Sequence, residues 1–133
     1  MLALDVGERR IGVARCSLLA RLPEPLTTLE HTADVIQDVQ RLVAQEQAVQ
    51  LVVGLPRGLS GQHTPQTAYV EAFMTALEPA LHIPCAWQDE ALTSQKAEAE
   101  LKRRGKPYAK GDIDALSATY ILEDFLRDHP EAA

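Results

Sequence analysis

The stretch LALDVGERRIGVAR, residues 2–15, decides the fold of this chain. Two short apolar segments, 1–5 and 11–16, flank a connection too short for a crossover helix, so they are predicted to pair as an antiparallel hairpin. Asp5 lies at the end of the first segment. An ionised carboxylate among apolar neighbours is costly unless it is paired, hydrogen-bonded or bound to a metal. Asp5 is therefore a candidate functional residue, with a turn hydrogen bond before Gly7 as the structural alternative.

The rest of the chain predicts an alternation of strands and helices. Strands are expected near 24–30, 50–54 and 82–88, and helices are expected after caps at Thr32, Thr64 and Thr93, with a last helix from Asp112 or Asp114. The order βββαβαβαα indicates the α/β class. We expect a mixed five-stranded sheet, an antiparallel hairpin plus parallel strands, with helices on both faces.

Length and composition narrow the class of protein. The 133 residues suit one domain over 1–133, and the formal net charge of −6 argues against a protein that simply coats nucleic acid. No signal peptide or membrane-spanning run is apparent, so no membrane partner is expected. Cys16 and Cys85 have no metal-ligand spacing, which favours a reduced, cytoplasmic chain over a disulfide or zinc protein.

Positive charge is concentrated between residues 91 and 111. Six basic residues face only Glu98 and Glu100 there: Lys96, Lys102, Arg103, Arg104, Lys106 and Lys110. This segment could hold a phosphate backbone. A solvated helix end, favoured by the helix dipole, explains the same composition equally well.

Acidic residues occur at the ends of three predicted elements. Asp5 ends the first strand, Asp89 and Glu90 end the last strand, and Asp112 and Asp114 begin the last helix. Parallel strands open their carboxyl ends to one crevice, so Asp5 and Glu90 are expected to meet there. Asp114 is in line with the apolar stripe of its helix and would point into the same crevice. Each acid also has a structural explanation, as a helix cap or an exposed residue.

Converging carboxylates repel one another and are best tolerated around a cation. Oxygen ligands of this kind suit Mg²⁺ or Mn²⁺. Two such ions about 3.5–4 Å apart could activate a water and stabilise the leaving oxygen of a phosphodiester. The residues therefore suggest a metal-dependent nuclease, whose substrate could be structured RNA or branched DNA.

Four blocks resemble the YqgF/RuvX family across nearly the whole chain: LDVGERRIGVA at 4–14, VVGLPRGLSG at 52–61, DEALTS at 89–94 and DIDALSATYILEDFL at 112–126. Members of this family have a ribonuclease H-like fold and are described as Holliday junction resolvases and as nucleases that mature the 5′ end of pre-16S rRNA. The resemblance implies that Asp5, Glu90 and Asp114 are the catalytic, metal-binding acids, and it favours Asp114 over Asp112.

The chain departs from the family pattern at two places. Ala91 replaces the usual arginine after Asp-Glu, and the loop at 57–61 reads RGLSG where Asn-Met-Asp-Gly or a close variant is common. These departures leave open a nucleic-acid-binding factor that does not cut. The Asp-x-Gly turn also opens actin-like ATPases, but this chain has no room for their second domain.

For the nuclease, the expected phosphate contacts are Arg9, Arg10, Lys96, Arg103, Arg104 and Lys106. Gly7 is expected to keep the turn clear for substrate. A homodimer would place two sites on the symmetric strands of a junction.

Overall fold

The computed structural model describes residues 1–90 and 93–131, without the side chains of 93–95. The strands are β1 (Leu2–Val6), β2 (Arg10–Arg15), β3 (Glu24–Glu30), β4 (Leu51–Pro56) and β5 (Cys85–Glu90). The helices are α1 (Val35–Gln45), α2 (Pro65–Leu77), α3 (Thr93–Arg104) and α4 (Lys110–Asp128), and a 3-10 turn, Glu78–Ala80, follows α2. No helix in the described ranges combines the length and the apolar character needed to span a membrane.

The five strands form one mixed sheet in the order β3-β2-β1-β4-β5. β1 pairs antiparallel with β2, and β2 pairs antiparallel with β3. β4 lies parallel to β1 on one side and to β5 on the other. The predicted hairpin, element order and mixed sheet are therefore confirmed, and the carboxyl ends of β1, β4 and β5 share one edge.

Alternating side chains of β1 pack into two separate cores. Leu2, Leu4 and Val6 face α1 and α2, where they join Val39, Val70 and other buried residues. Ala3 faces the opposite side and packs with Ala118, Ile121 and Phe125 of α4. Asp5 follows Ala3 by two positions, and so lies on the α4 side of the sheet.

Several predicted boundaries are wrong. Thr32 does not cap α1, because its Oγ1 accepts a hydrogen bond from the Asp34 backbone N–H in a short turn and the helix begins at Val35. The last strand begins at Cys85 rather than His82, since Pro84 precedes it without a ladder N–H. Thr93 is already helical in α3, and the position before it lies outside the described residues.

The predicted start of α2 is confirmed. Thr64 caps the helix, Pro65 is its first residue, and Thr67 completes a reciprocal capping box. α4 begins at Lys110, before either predicted start, because Asp112 Oδ2 accepts a hydrogen bond from the Ala109 backbone N–H at 2.8 Å. Gly105 has φ of +71°, the left-handed conformation expected of the glycine that ends α3.

Candidate active site

The three predicted acids come from three elements that meet on the α4 side of the sheet. Asp5 lies near the end of β1 and Glu90 is the last residue of β5. Asp114 lies in the second turn of α4, whose following residues at helical spacing, Ala118 and Ile121, are fully buried against the sheet. The structure therefore brings Asp5, Glu90 and Asp114 to one region, as the sequence predicted.

Glycines on both neighbours of β1 make room for this arrangement. Gly12 on β2 lies directly opposite Asp5, and a Cβ built there would be 1.9 Å from the backbone oxygen of Asp114. On β4, a Cβ at Gly54 would be 2.5 Å from Ile121 Cδ1 and 3.0 Å from the Glu90 carboxyl carbon. Only residues without a side chain let α4 and Glu90 approach Asp5 this closely.

The start of α4 is fixed to the sheet by two further contacts. Thr28 of β3, the register partner of Gly12, donates a hydrogen bond from Oγ1 to the Gly111 carbonyl at 2.6 Å. Arg10, the first residue of β2, donates from Nε to Asp114 Oδ2 at 2.6 Å. The position of Asp114 is therefore set by β2 and β3 together.

The electrostatics of the site centre on Asp5. Burial raises the pKa of the Asp5 carboxyl well above its ordinary value, and repulsion from Glu90 and then Asp114 raises it further. A hydrogen bond with the Glu90 side chain acts in the same direction. The three carboxylates therefore concentrate negative charge around Asp5, which favours a proton or a cation there.

The chemistry of these donors fits a hard divalent cation. Carboxylate oxygens are the ligands that Mg²⁺ and Mn²⁺ prefer, and the raised pKa of Asp5 marks the position where positive charge would relieve repulsion. Within the described ranges, no group of three or more His, Cys, Asp or Glu side chains is already arranged to hold a metal ion. In the structure, Asp114 Oδ2 accepts a hydrogen bond from Arg10 Nε.

Asp112, the alternative to Asp114, caps the start of α4 and does not join the site. Its side chain is exposed and accepts the Ala109 N–H at the start of α4, as a helix-capping residue does. Asp89, the neighbour of Glu90, is also exposed and accepts a hydrogen bond from Arg57 Nε at 3.1 Å. Because Pro56 pairs with Glu90, Arg57 and the exposed Leu59 extend from the same sheet edge as the acids.

The turn between β1 and β2 is held by His31, which directly follows β3 and packs against Tyr69 of α2. His31 Nδ1 lies 2.7 Å from the Gly7 carbonyl, which can only accept, so that nitrogen carries the proton. The His31 backbone N–H also donates to the Arg9 carbonyl at 2.9 Å. A Cβ at Gly7 would be 2.8 Å from the Arg10 carbonyl oxygen. Closure of the hairpin therefore explains this glycine directly, in addition to any clearance for substrate.

Some of the predicted phosphate contacts are engaged by other side chains, while others form no ion pair within the described residues. Arg103 and Arg104 both form ion pairs with Glu100 on α3, and Lys96 lies 5.3 Å from the centre of the Tyr120 ring. These contacts partly satisfy the positive charge of the segment. The exposed Arg9 and Lys106 have no ion pair with any side chain in the described ranges. Ala91 lies outside those ranges.

Residues that sequence reasoning missed include Gly12, Gly54 and His31. The two glycines carried a usable signal, because a lone glycine inside an apolar strand often marks a close approach of another segment. His31 carried no such signal. It contacts the Gly7 carbonyl and the α2 rings of Tyr69 and Phe73, and these residues are far from it in the sequence.

Residues 1–128 match a protein family described as "RuvX: Holliday junction resolvase". A relative from Chloroflexus aggregans is 44% identical over 95% of this chain and 92% of its own length. A relative from Crocosphaera subtropica is 44% identical over 94% and 90%, and one from Synechococcus elongatus is 39% identical over 98% and 90%. All three are named "Putative pre-16S rRNA nuclease".

Solved structures with a similar fold include RuvC of T. thermophilus in complex with a Holliday junction substrate. Its TM-score is 0.57 at 16% identity, over 96% of both chains. The fowlpox virus Holliday junction resolvase has a TM-score of 0.52 at 10% identity, over 99% of this chain and 100% of its own. At such identities the likeness concerns the fold alone, and it confirms the ribonuclease H-like architecture.

Proposed function

Because the chain belongs to the RuvX family, we propose that it is a metal-dependent endonuclease that hydrolyses phosphodiester bonds in pre-16S rRNA, maturing its 5′ end during ribosome biogenesis. The observation that carries the proposal is the meeting of Asp5, Glu90 and Asp114 at one sheet edge, with the pKa of Asp5 raised by burial and by the other two acids. The names of the relatives support the RNA substrate. The activity would belong to the bacterial cytoplasm, where ribosomes are assembled.

The proposed catalytic residues are also the proposed metal ligands. Asp5 and Glu90 would hold Mg²⁺ or Mn²⁺ ions, two in number, and Asp114 would complete the set from α4. When bound, such ions activate a water for in-line attack and stabilise the leaving oxygen. Gly12 and Gly54 keep the carboxylates close, and partial burial of Asp5 limits the water that competes for its oxygens.

Phosphates of the substrate would be bound by basic residues around the site. Arg9 lies on the turn after β1 and Arg10 begins β2, while Lys96, Arg103, Arg104 and Lys106 lie on or just after α3. Such contacts position a backbone without reading bases. Substrate choice would then depend on the shape of the RNA and on the loop that carries Arg57 and Leu59.

The test is cleavage of a pre-16S rRNA fragment by purified protein with Mn²⁺ or Mg²⁺. We expect Asp5→Asn, Glu90→Gln and Asp114→Asn each to lose at least about 100-fold in rate, because a misplaced or missing ligand affects the reacting centre directly. Asp112→Asn is the matched control for Asp114→Asn, since it makes the same change two residues away on the same helix. It should cut normally, and EDTA should stop all cleavage.

Full activity of Asp5→Asn would reject the assignment of the acids. RNA binding without metal-dependent cutting in the wild-type protein would instead favour a ribosome-assembly factor that has kept the fold. The family description favours a second candidate substrate, a four-way DNA junction. Offering both substrates, with the solution mass measured in parallel, separates these activities, because paired cuts at a junction call for a homodimer.

A further inference from the structure

Arg10 has an unusual position for a residue expected only to contact substrate. Its side chain is 30% exposed, and its Nε donates to Asp114 Oδ2, whose side chain is 20% exposed. This is a charge-assisted hydrogen bond at 2.6 Å between residues 104 positions apart in the chain. One of the three proposed metal ligands is therefore engaged by a cationic side chain of the protein itself.

The surroundings of Asp114 make this pairing consequential. Asp114 and Glu90 both act electrostatically on Asp5, so the site concentrates negative charge on the α4 face of the sheet. Arg10, on β2, contacts Asp114. Glu30, the register partner of Arg10 on β3, is the next acid that acts electrostatically on Arg10. No side-chain hydrogen bond or ion pair joins Arg10 to another residue in the described ranges.

We propose that Arg10 is the built-in counter-cation of the acidic site, and that it competes with a divalent cation for the carboxylate of Asp114. The inference rests on the proposed function in that Asp114 is taken as a metal ligand. Arg10 holds Asp114 by its Nε. A divalent cation held by Asp114 would have to displace this hydrogen bond, and the Arg10 guanidinium would then be available beside the site. Arg10 is thus a positioning residue, acting through Asp114.

Arg9 provides a matched control for this competition. It precedes Arg10 at the end of the turn, carries the same charge and is exposed, and it forms no ion pair within the described residues. Arg9→Gln and Arg10→Gln therefore remove the same charge from nearly the same place. An effect of net charge alone appears in both variants, whereas release of Asp114 appears only in Arg10→Gln.

The experiment is a calorimetric titration of Mn²⁺ into the full-length protein without nucleic acid. We expect Arg10→Gln to bind Mn²⁺ about tenfold more tightly than Arg9→Gln, because the ion no longer has to break a charge-assisted hydrogen bond. In an Asp114→Asn background the two arginine variants should bind Mn²⁺ equally. Thermal unfolding gives a second measurement: in EDTA Arg10→Gln should melt below Arg9→Gln, and saturating Mn²⁺ should close that gap.

Equal Mn²⁺ affinity of the two variants would overturn the inference. Weaker binding by Arg10→Gln would also overturn it, because Arg10 would then be holding Asp114 in place for the ion. If Arg10→Gln does not fold, Arg10→Met takes its place with Arg9→Met as its control, since methionine keeps an unbranched side chain but removes both the charge and the Nε donor. If wild-type protein binds no Mn²⁺, or Asp5→Asn binds it equally well, the proposed function fails together with the inference. Asp5-dependent binding without a difference between the arginine variants defeats the inference alone.

Discussion

Replacing Gly12 with alanine should separate Asp114 from Asp5 without touching either acid. The added Cβ would lie 1.9 Å from the Asp114 backbone oxygen and 2.8 Å from the Ala115 nitrogen, whereas real Cβ contacts essentially never fall under 3.0 Å. The obstructing atoms are helix backbone, which cannot swing aside as a long side chain can. The first turns of α4 must therefore move away from β2 by about 1 Å or more, because packed interiors have no free space to absorb the methyl.

The displacement sets the size of both expected effects. Overpacking of this kind costs about 1–3 kcal/mol of folding free energy. A shift of about 1 Å in a group that serves the reacting centre can cost about 100-fold in rate. We therefore expect Gly12→Ala to unfold at a lower denaturant concentration and to lose about 100-fold in cleavage of the pre-16S rRNA fragment while remaining folded.

Gly111→Ala is the control, because it adds the same methyl to α4 itself. A Cβ there meets Thr28 Oγ1 at 3.5 Å, an ordinary contact, and it should leave cleavage intact. Equilibrium unfolding in urea and a cleavage assay on all three proteins decide the matter. Wild-type activity in a stably folded Gly12→Ala protein would refute the reasoning that this glycine sets the position of Asp114.

Other perturbations test the electrostatics and the packing. The raised pKa of Asp5 means that the folded, metal-free protein binds its proton more tightly than the unfolded chain does, so stability should fall as pH rises from about 3.8 through the folded-state pKa. Asp5→Asn removes that loss and should raise the melting temperature at pH 7 in EDTA; a lower one would contradict the pKa direction. Thr67→Val should cost about 1–3 kcal/mol in urea unfolding, because the buried Oγ1 that donates to the Pro56 carbonyl is lost; an unchanged midpoint would show that bond to be dispensable. Glu100→Gln should free Arg103 and Arg104 from their ion pairs, tighten RNA binding and steepen its salt dependence; unchanged binding would place α3 outside the interface.

Much of the fold followed from periodicity and short connections. The first hairpin was predictable because a linker of so few residues permits only antiparallel pairing. The start of α2 was predictable because Thr64 and Pro65 are strong local signals. The start of α1 was not, since Thr32 is as good a cap in sequence as many true caps, yet its hydroxyl accepts the Asp34 N–H in a short turn and the helix begins at Val35.

The sequence predicted which acids form the site, but it predicted few of the contacts between them and their neighbours. Asp5, Glu90 and Asp114 could be brought together because each lies at an element end on the same edge. The apolar stripe and the family resemblance already favoured Asp114 over Asp112, but the capping role of Asp112 depends on where α4 begins, which the sequence did not determine. The Arg10 to Asp114 bond was beyond sequence reasoning, because it depends on the lateral position of α4 over β2.

The site draws its acids from the first strand, the last strand and the last helix of the fold. During synthesis the strand that carries Asp5 leaves the ribosome long before α4 does, and Arg10 waits for a partner 104 positions later in the chain. Until α4 docks over Gly12, a growing chain has Asp5 without Asp114. Docking of α4 therefore also brings the last of the three proposed metal ligands to the site, so under the proposed function a chain without α4 would lack one of its ligands.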